Sequence, residues 1–244
     1  MEIKLAKSVE MCYNIWYGEN LVFGKDLRSA VMKGAIFDID GTILDSMSAW
    51  VDITNEFFND HGIAISKEET LSYQSQSFEE SLVTIHNEYL PDMSIVDMFA
   101  DFERRSRENY INSIQPKPYV IDYIKKLYDE GVKLAVATSG FPDVVKAAFT
   151  RLDIYKYFSA FTYSREVGCS KSSPDIYLLA AKRLGLTPQE CTVFEDIAAG
   201  IESAKGAGFK TVAIEDATNA ADKDRLIQYS DHYITGWDEL LSNK

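Results

Sequence analysis

Cysteine is scarce in this chain of 244 residues: Cys12, Cys169 and Cys191 are the only three, far apart and with no Cys-x-x-Cys pair. That excludes a disulfide framework and a thiolate zinc site, and leaves ordinary reduced thiols of a cytoplasmic protein as the expectation. Histidine is equally rare, and His61, His86 and His232 show no ligand spacing, so they read as structural. Positive charge is outnumbered, with 25 Lys and Arg against 38 Asp and Glu and a formal net charge of -13. Nucleic acid and anionic membrane surfaces need clustered Lys and Arg, so neither is an expected partner. No stretch approaches the roughly 18 apolar residues of a membrane span, and the first twenty residues lack the unbroken apolar segment of a signal peptide. A phosphorylated small molecule stays compatible with the acidity, because one buried lysine and a metal ion can make a local positive site. A monomer is expected.

What the chain does have is 46% apolar residues, enough for a substantial core in one or two domains. From residue 33, short apolar runs alternate with amphipathic stretches. KGAIFD (33–38), VKLAVAT (132–138), AFTYS (160–164), CTVFED (191–196) and KTVAI (210–214) have the pattern of buried strands. Between them PYVIDYIKKLYDEG, PDVVKAAFTRLD, SPDIYLLAAKRLG and IAAGIESAKGAG have the pattern of helices. Such alternation predicts an α/β fold, a Rossmann-like parallel sheet with helices on both faces. Ligands of such sheets bind beyond the carboxyl ends of the strands.

Residues 47–115 break the alternation and read as consecutive helices. Ser66 with Glu69, and Ser77 with Glu80, are two capping-box patterns. Ile95, Met98, Phe99 and Phe102 have the spacing of one buried helical face. The expected organisation is a core of residues 32–46 and 116–244, a helical cap at 47–115 returning near Pro116–Pro118, and an N-terminal extension, 1–31, of open role. Met32-Lys33-Gly34 would be a natural start for the fold, and YNIWYGENLVFG within the extension has the pattern of a hairpin.

Four polar groups stand at predicted strand ends. Asp38-Ile39-Asp40-Gly41-Thr42 puts two carboxylates two positions apart, then a glycine that lets the chain turn and a threonine that can hydrogen-bond within the turn. Alone, this is equally a turn with an Asx bond. Thr138-Ser139-Gly140 offers hydroxyls and backbone N–H groups to an anion, or simply caps the next helix. Lys171 lies in a loop entering a helix, where a solvated lysine is the ordinary case. Glu195-Asp196 ends a buried strand, and two adjacent buried acids are costly without a cation, for which magnesium is suited.

Taken together and in this order, these motifs resemble the haloacid dehalogenase (HAD) superfamily of phosphohydrolases, in the branch similar to β-phosphoglucomutase and phosphoglycolate phosphatase. The resemblance spans residues 33 to about 240. It implies Asp38 as a nucleophile that becomes an aspartyl phosphate, and Asp40 as the acid–base residue. It implies Thr138, the Ser139 N–H and Lys171 as phosphate-binding groups. Asp38, the Asp40 backbone carbonyl and Asp196 would ligate Mg2+, with Glu195 beside them. Asp40 separates the chain from the superfamily's dehalogenases and cation pumps, which lack an acid there. The family's Lys-Pro-x-Pro-Asp is here Lys171-Ser-Ser-Pro174-Asp175, which keeps the lysine and is expected to loosen its loop. Where β-phosphoglucomutase carries polar sugar-phosphate ligands, this chain has Trp50, Phe78 and Phe141-Pro142. The expectation is therefore a Mg2+-dependent phosphatase acting on a small phosphorylated metabolite, with a sugar-phosphate mutase as the alternative. A non-catalytic phospho-acceptor is a further alternative, which the leaving-group acid Asp40 argues against.

Overall fold

A computed structural model describes residues 32–74 and 78–241. The hairpin expected in the N-terminal extension and the cap residue Ser77 lie outside the described residues. The sheet begins with β1 (Gly34–Phe37), four small or apolar residues buried on both faces, the composition a central parallel strand requires. It is followed by β2 (Lys133–Thr138), β3 (Phe158–Tyr163), β4 (Cys191–Glu195), β5 (Lys210–Ile214) and β6 (His232–Ile234). All pair in parallel, in the order β3-β2-β1-β4-β5-β6. The five strands read from the sequence are present. The sixth is only three residues long and too brief to carry a pattern.

This order puts β1 between β2 and β4, with Phe37 level with both Val136 and Phe194. The chain just beyond Phe37 therefore lies beside the ends of the two strands that carry Thr138 and Glu195. Helices cover both faces. Ile36, Ala135 and Val193 pack with Ile176, Ala180 and Leu184 of a helix at Asp175–Leu184. Ala35, Phe37 and Val136 face the other way, toward Ile124 and Leu127 of a helix at Val120–Asp129.

Between β1 and β2 the chain forms helices α1 (Met47–Asp60), α2 (Lys67–Gln74), α3 (Phe78–Glu88) and α4 (Ile95–Asn112), followed by α5 (Val120–Asp129). Later helices are α6 (Pro142–Arg151), α7 (Ser164–Val167), α8 (Asp175–Leu184), α9 (Ala198–Gly206), α10 (Lys223–Tyr229) and α11 (Asp238–Leu241). The box at the start of α2 is formed: Ser66 N–H donates to Glu69 Oε2 at 2.7 Å and Glu69 N–H to Ser66 Oγ at 3.1 Å. The expected buried face of α4 needs one correction. Ile95, in the first turn beside the N-cap Ser94, is 38% exposed, and the buried stripe runs instead through Met98, Phe102, Ser106 and Tyr110, one residue every fourth position. The two chain segments joining this insertion to the core run side by side. Asp45 N–H donates to Gln115 O at 2.9 Å and Lys117 N–H to Ile43 O at 2.8 Å.

Trp237, just before α11, locks the far end of the chain under the first strand. It is 1% exposed, packs on Phe194 and Tyr123 at ring centroid distances of 5.4 and 5.3 Å, and donates its indole N–H to Thr42 O at 3.2 Å. Trp237→Ala is expected to cost about 3–5 kcal/mol, the range for truncating a large core aromatic. Trp237→Phe should cost about 1–2 kcal/mol, since it keeps the ring but orphans a buried carbonyl. Urea unfolding with an unchanged m-value checks both, and a loss below about 0.5 kcal/mol for Trp237→Ala would refute the packing role.

Candidate active site

β1 stops at Phe37, and the next residue, Asp38, is tied back to the sheet by its N–H donating to Phe194 O at 2.9 Å. The chain then turns tightly, with Ile43 N–H and Leu44 N–H both donating to Ile39 O at 2.9 and 2.8 Å. Gly41 sits at φ +79°, and a Cβ there would run into the Asp196 carboxylate. Both left-handed backbone and close approach require glycine at this position. The threonine of this turn differs from expectation. Thr42 Oγ1 donates to Asp196 Oδ1 at 3.3 Å, across to the end of β4, because the sheet order brings that carboxylate closer than any local acceptor.

The strand ends gather Asp38, Lys171, Glu195 and Asp196, at most 7% exposed each. Lys171 Nζ donates to Asp38 Oδ1 and, at 2.8 Å, to Glu195 Oε2. Tyr177 of α8 donates to the same Glu195 oxygen at 2.9 Å, while Asp196 N–H and Ile197 N–H donate to Glu195 Oε1 at 3.2 and 3.4 Å. Gly200 in α9 lets Tyr177 and Glu195 come this close, since a Cβ would meet Tyr177 Oη at 2.6 Å. Asp196 Oδ2 accepts from Asn219 Nδ2 at 2.7 Å. One carboxylate oxygen from each of Asp38, Glu195 and Asp196 lies within 4.8 Å of the others.

Three buried acids thus share one ammonium. Burial, then the charge of Glu195, pushes the Asp38 carboxyl up to about 8 in spite of Lys171. Burial and Glu195 also hold Asp196 well above the usual carboxylate range. Burial would pull Lys171 down, but the charges of Asp38 and Glu195 overcome it and hold the ammonium above its ordinary value. The excess negative charge and the all-oxygen donor set fit a hard divalent cation. Glu195 already has four donors on its two oxygens, which leaves Asp38 and Asp196 as the better placed ligands.

Asp40 stands apart from this cluster. Its Oδ1 accepts from Ser46 Oγ at 2.6 Å and from the Tyr110 hydroxyl. Tyr110 is itself held by Trp50, whose Nε1 donates to its oxygen at 2.8 Å. Desolvation raises the Asp40 pKa, although the Ser46 and Tyr110 hydrogen bonds oppose it. Asp40 thus has one oxygen fixed by two donors. Its Oδ2 faces Gly140, 3.8 Å from where a Cβ on that glycine would lie.

Thr138 closes β2, with its Oγ1 accepting from Gly140 N–H at 3.0 Å. Neither Thr138 nor Ser139 caps the next helix. The N-cap of α6 is Phe141, and Ser139 Oγ lies 2.8 Å from Ser164 Oγ. The lysine loop, which lacks the proline, is held by hydrogen bonds. Ser173 N–H donates to Ser170 O at 3.0 Å, and Ser203 Oγ donates to Lys171 O at 2.6 Å. Beside Asp40 and Ser139 opens a cavity of about 140 Å³, whose wall includes Trp50, Thr54, Phe78, Phe102 and Phe141. The three aromatic positions that depart from the β-phosphoglucomutase pattern are therefore together in one wall. His61 and His86 stay outside the site, each bonded through Nδ1 to a backbone carbonyl, of Phe57 and Met93.

The sequence reading missed Ser46, Tyr110, Tyr177 and Asn219. Tyr110 and Tyr177 lie on the buried faces of α4 and α8, where an aromatic residue reads as core. Only the hydroxyl could have marked them, since a buried Tyr O–H needs a partner.

The profile of the haloacid dehalogenase-like hydrolases matches residues 35–214. Hexitol phosphatase A of Escherichia coli is 32% identical over 184 residues, covering 75% of this chain and 82% of that protein. The phosphorylated carbohydrates phosphatase of Thermotoga maritima is 26% identical over 185 residues, covering 74% and 84%. Among solved structures, CbbY from Rhodobacter sphaeroides in complex with phosphate superposes with a TM-score of 0.78 at 23% identity, covering 86% of this chain and 96% of that one. At that identity the likeness is one of fold. With the profile matching most of its length and a relative 32% identical, the chain belongs to the haloacid dehalogenase-like hydrolase family.

Proposed function

We propose that this protein is a Mg2+-dependent phosphatase that hydrolyses a small phosphomonoester, a sugar phosphate or similar metabolite, through an aspartyl phosphate on Asp38. The observation that carries the proposal is the buried set of Asp38, Glu195 and Asp196 on the single lysine Lys171, with Asp38 two residues along the chain from Asp40, which lines a cavity. The relatives named as phosphatases of phosphorylated carbohydrates support the substrate class. A magnesium ion held by Asp38, Asp196 and the Asp40 carbonyl would neutralise charge on nucleophile and phosphate.

In this reading an Asp38 oxygen attacks phosphorus, and the P–O bond to the leaving group breaks. Asp40, protonated at first, gives its proton to the departing oxygen. The resulting carboxylate takes a proton from water as that water attacks the aspartyl phosphate, which releases inorganic phosphate and regenerates Asp38. Lys171 offsets charge on Asp38, while Thr138 and the Ser139 N–H hold the phosphoryl oxygens. Glu195, held by Tyr177, positions Lys171. The four-helix insertion acts as a cap, with Tyr110 orienting Asp40 from the cap side. The mutase alternative requires polar cap contacts that turn a sugar bisphosphate around. The aromatic wall of Trp50, Phe78 and Phe141 does not favour it.

Asp38→Asn should abolish phosphate release while leaving the melting temperature within a few degrees, because the amide keeps the side chain's size and an acceptor oxygen for Lys171. Residual turnover above a few per cent, with normal magnesium dependence, contradicts the nucleophile assignment. Asp40→Asn should slow turnover by roughly 10²–10⁴, the scale of a lost general acid. Tyr110→Phe, which only releases the acid from its orientation, should cost about tenfold. Both losses should shrink for 4-nitrophenyl phosphate, whose leaving group needs little protonation. Equal losses across leaving groups would exclude these roles.

The titration of the cluster gives a further test. Asp38 has its folded pKa near 8 against 3.8 for the ordinary group, so over that window the folded state binds more protons than the unfolded one. Stability without metal is then greatest at the acid end and is lost as pH rises through about 8. Magnesium competes with protons for the same carboxylates. The rise in melting temperature on adding magnesium should therefore grow from pH 5 to pH 8 and be much smaller in Asp38→Asn. A magnesium effect independent of pH would argue against the site.

A further inference from the structure

The cavity beside Asp40 has a chemical polarity that its list of residue types does not reveal. Its described cap-side wall contains N–H and O–H groups whose hydrogens are committed to the protein, while on the core side the Ser139 N–H is left for the phosphoryl group. Trp50 Nε1 donates to Tyr110 Oη at 2.8 Å, so the indole offers an occupant ring carbon and not its N–H. Thr54 Oγ1 donates to Trp50 O at 2.8 Å, one turn back along α1. Ser81 Oγ donates to Tyr73 O at 3.0 Å. On the core side, Gly140 N–H is taken by Thr138 Oγ1.

The rest of the wall is aromatic. Phe78 packs edge-to-face on Phe102 and Phe141 at 5.5 and 5.3 Å, and lies 6.0 Å from Trp50. Among the described residues of the lining Asp40 is the one acid and there is no Lys, Arg or His, while burial pushes the Tyr73 phenol up to about 12 and keeps it neutral. An anionic group needs donors or cations, and here it would meet ring faces, oxygen lone pairs and a carboxyl group. A hydroxyl group needs an acceptor, and hydroxyl oxygens whose hydrogens are already spent are acceptors. Aromatic faces accommodate the apolar C–H side of a ring or short carbon chain.

We infer that this cavity is a leaving-group site for an uncharged, hydroxyl-bearing alcohol of about six carbons or fewer, and that it discriminates against substrates carrying a second phosphate or a carboxylate. The inference rests on the hydrolase reading above but goes beyond it. That reading requires only that Asp38 and its neighbours transfer a phosphoryl group. The present one separates this chain from family members built for bisphosphates, among which the CbbY fold neighbour has been crystallised with xylulose-1,5-bisphosphate. The size limit follows from the volume, since a cavity of about 140 Å³ is close to the roughly 150 Å³ that accommodates benzene.

The test uses the whole protein with magnesium and substrate pairs that differ in a second anion. Glucose 6-phosphate is set against glucose 1,6-bisphosphate, and ethylene glycol monophosphate against 2-phosphoglycolate, with 4-nitrophenyl phosphate as reference. The neutral member of each pair should have at least about tenfold higher kcat/KM, the effect of roughly 1.4 kcal/mol in discrimination. Equal or reversed preference, with 4-nitrophenyl phosphate hydrolysed, overturns the pocket inference and leaves the hydrolase reading standing. Failure to hydrolyse any of the five overturns the hydrolase reading. Calorimetric binding of the same pairs then decides the pocket: tighter binding of the neutral members supports it, and tighter or equal binding of the anionic members overturns it. Thr54→Val, which removes one acceptor at nearly constant shape, should lower the ratio of kcat/KM for glucose 6-phosphate over 4-nitrophenyl phosphate by about fivefold. An unchanged ratio rules out Thr54 as a hydroxyl acceptor.

Discussion

Too much negative charge is buried at one end of the sheet, and the surrounding structure is organised around containing it. Asp38, Glu195 and Asp196 are nearly inaccessible, and Lys171 is the one ammonium among them. A buried lysine bonded to two carboxylates cannot be lost cheaply, because removing it would leave unpaired charges in a low-dielectric site. The neighbouring groups are arranged accordingly. Tyr177 and two backbone N–H groups saturate Glu195, Asn219 and Thr42 hold Asp196, and Ser203 fixes the carbonyl of Lys171 itself. Gly41 and Gly200 are required because the acids and their partners come closer to the backbone than a Cβ permits. Such concentrated, imperfectly neutralised charge is a cost to folding, of the kind retained where it serves binding or chemistry.

The parallel sheet makes this convergence possible. With β1 between β2 and β4, three strands end side by side, and the residues that follow each end meet although they lie far apart in sequence. The apolar strands supply rigidity and the loops supply chemistry. A stack of Phe37, Phe194, Tyr123 and Trp237 lies directly beneath the charged layer. Trp237 joins the two levels, packed in the core at its ring and bonded to the turn after Asp38 at its N–H.

The helical insertion adds a second constraint. Its residues Trp50 and Tyr110 reach down to Asp40, while Phe78 and Phe99 pack on Phe141 at the start of α6, with centroid distances of 5.3 and 4.9 Å. Arg165 lies over the outer faces of Phe99 and Phe141, which ties α7 to the same contact. One indole therefore both lines the cavity and, through Tyr110, orients the carboxyl group that faces it. The insertion shapes the pocket and holds the acid with the same side chains.

Much of this was legible before any coordinates. The runs of β-branched and small apolar residues dictated five of six strands, because a central parallel strand is buried on both faces and tolerates little else. The motifs at Asp38, Lys171 and Glu195-Asp196 marked residues that the sheet brings together, since neighbouring parallel strands end side by side. Helix periodicity foresaw the insertion but misplaced Ile95, because periodicity identifies a face and not where along it the packing begins. Tertiary structure alone decided the rest. Whether Thr42 bonds within its turn or across to Asp196 depends on which strand lies next to β1. That the carbonyl of Lys171 finds a donor in Ser203, thirty-two residues further on, depends on how α9 packs against the lysine loop. That Tyr110 holds Asp40, and that the indole N–H of Trp50 is already spent on Tyr110, depends on hydrogen bonds between residues up to seventy positions apart, and side-chain partners at such separations leave no periodic trace in the chain.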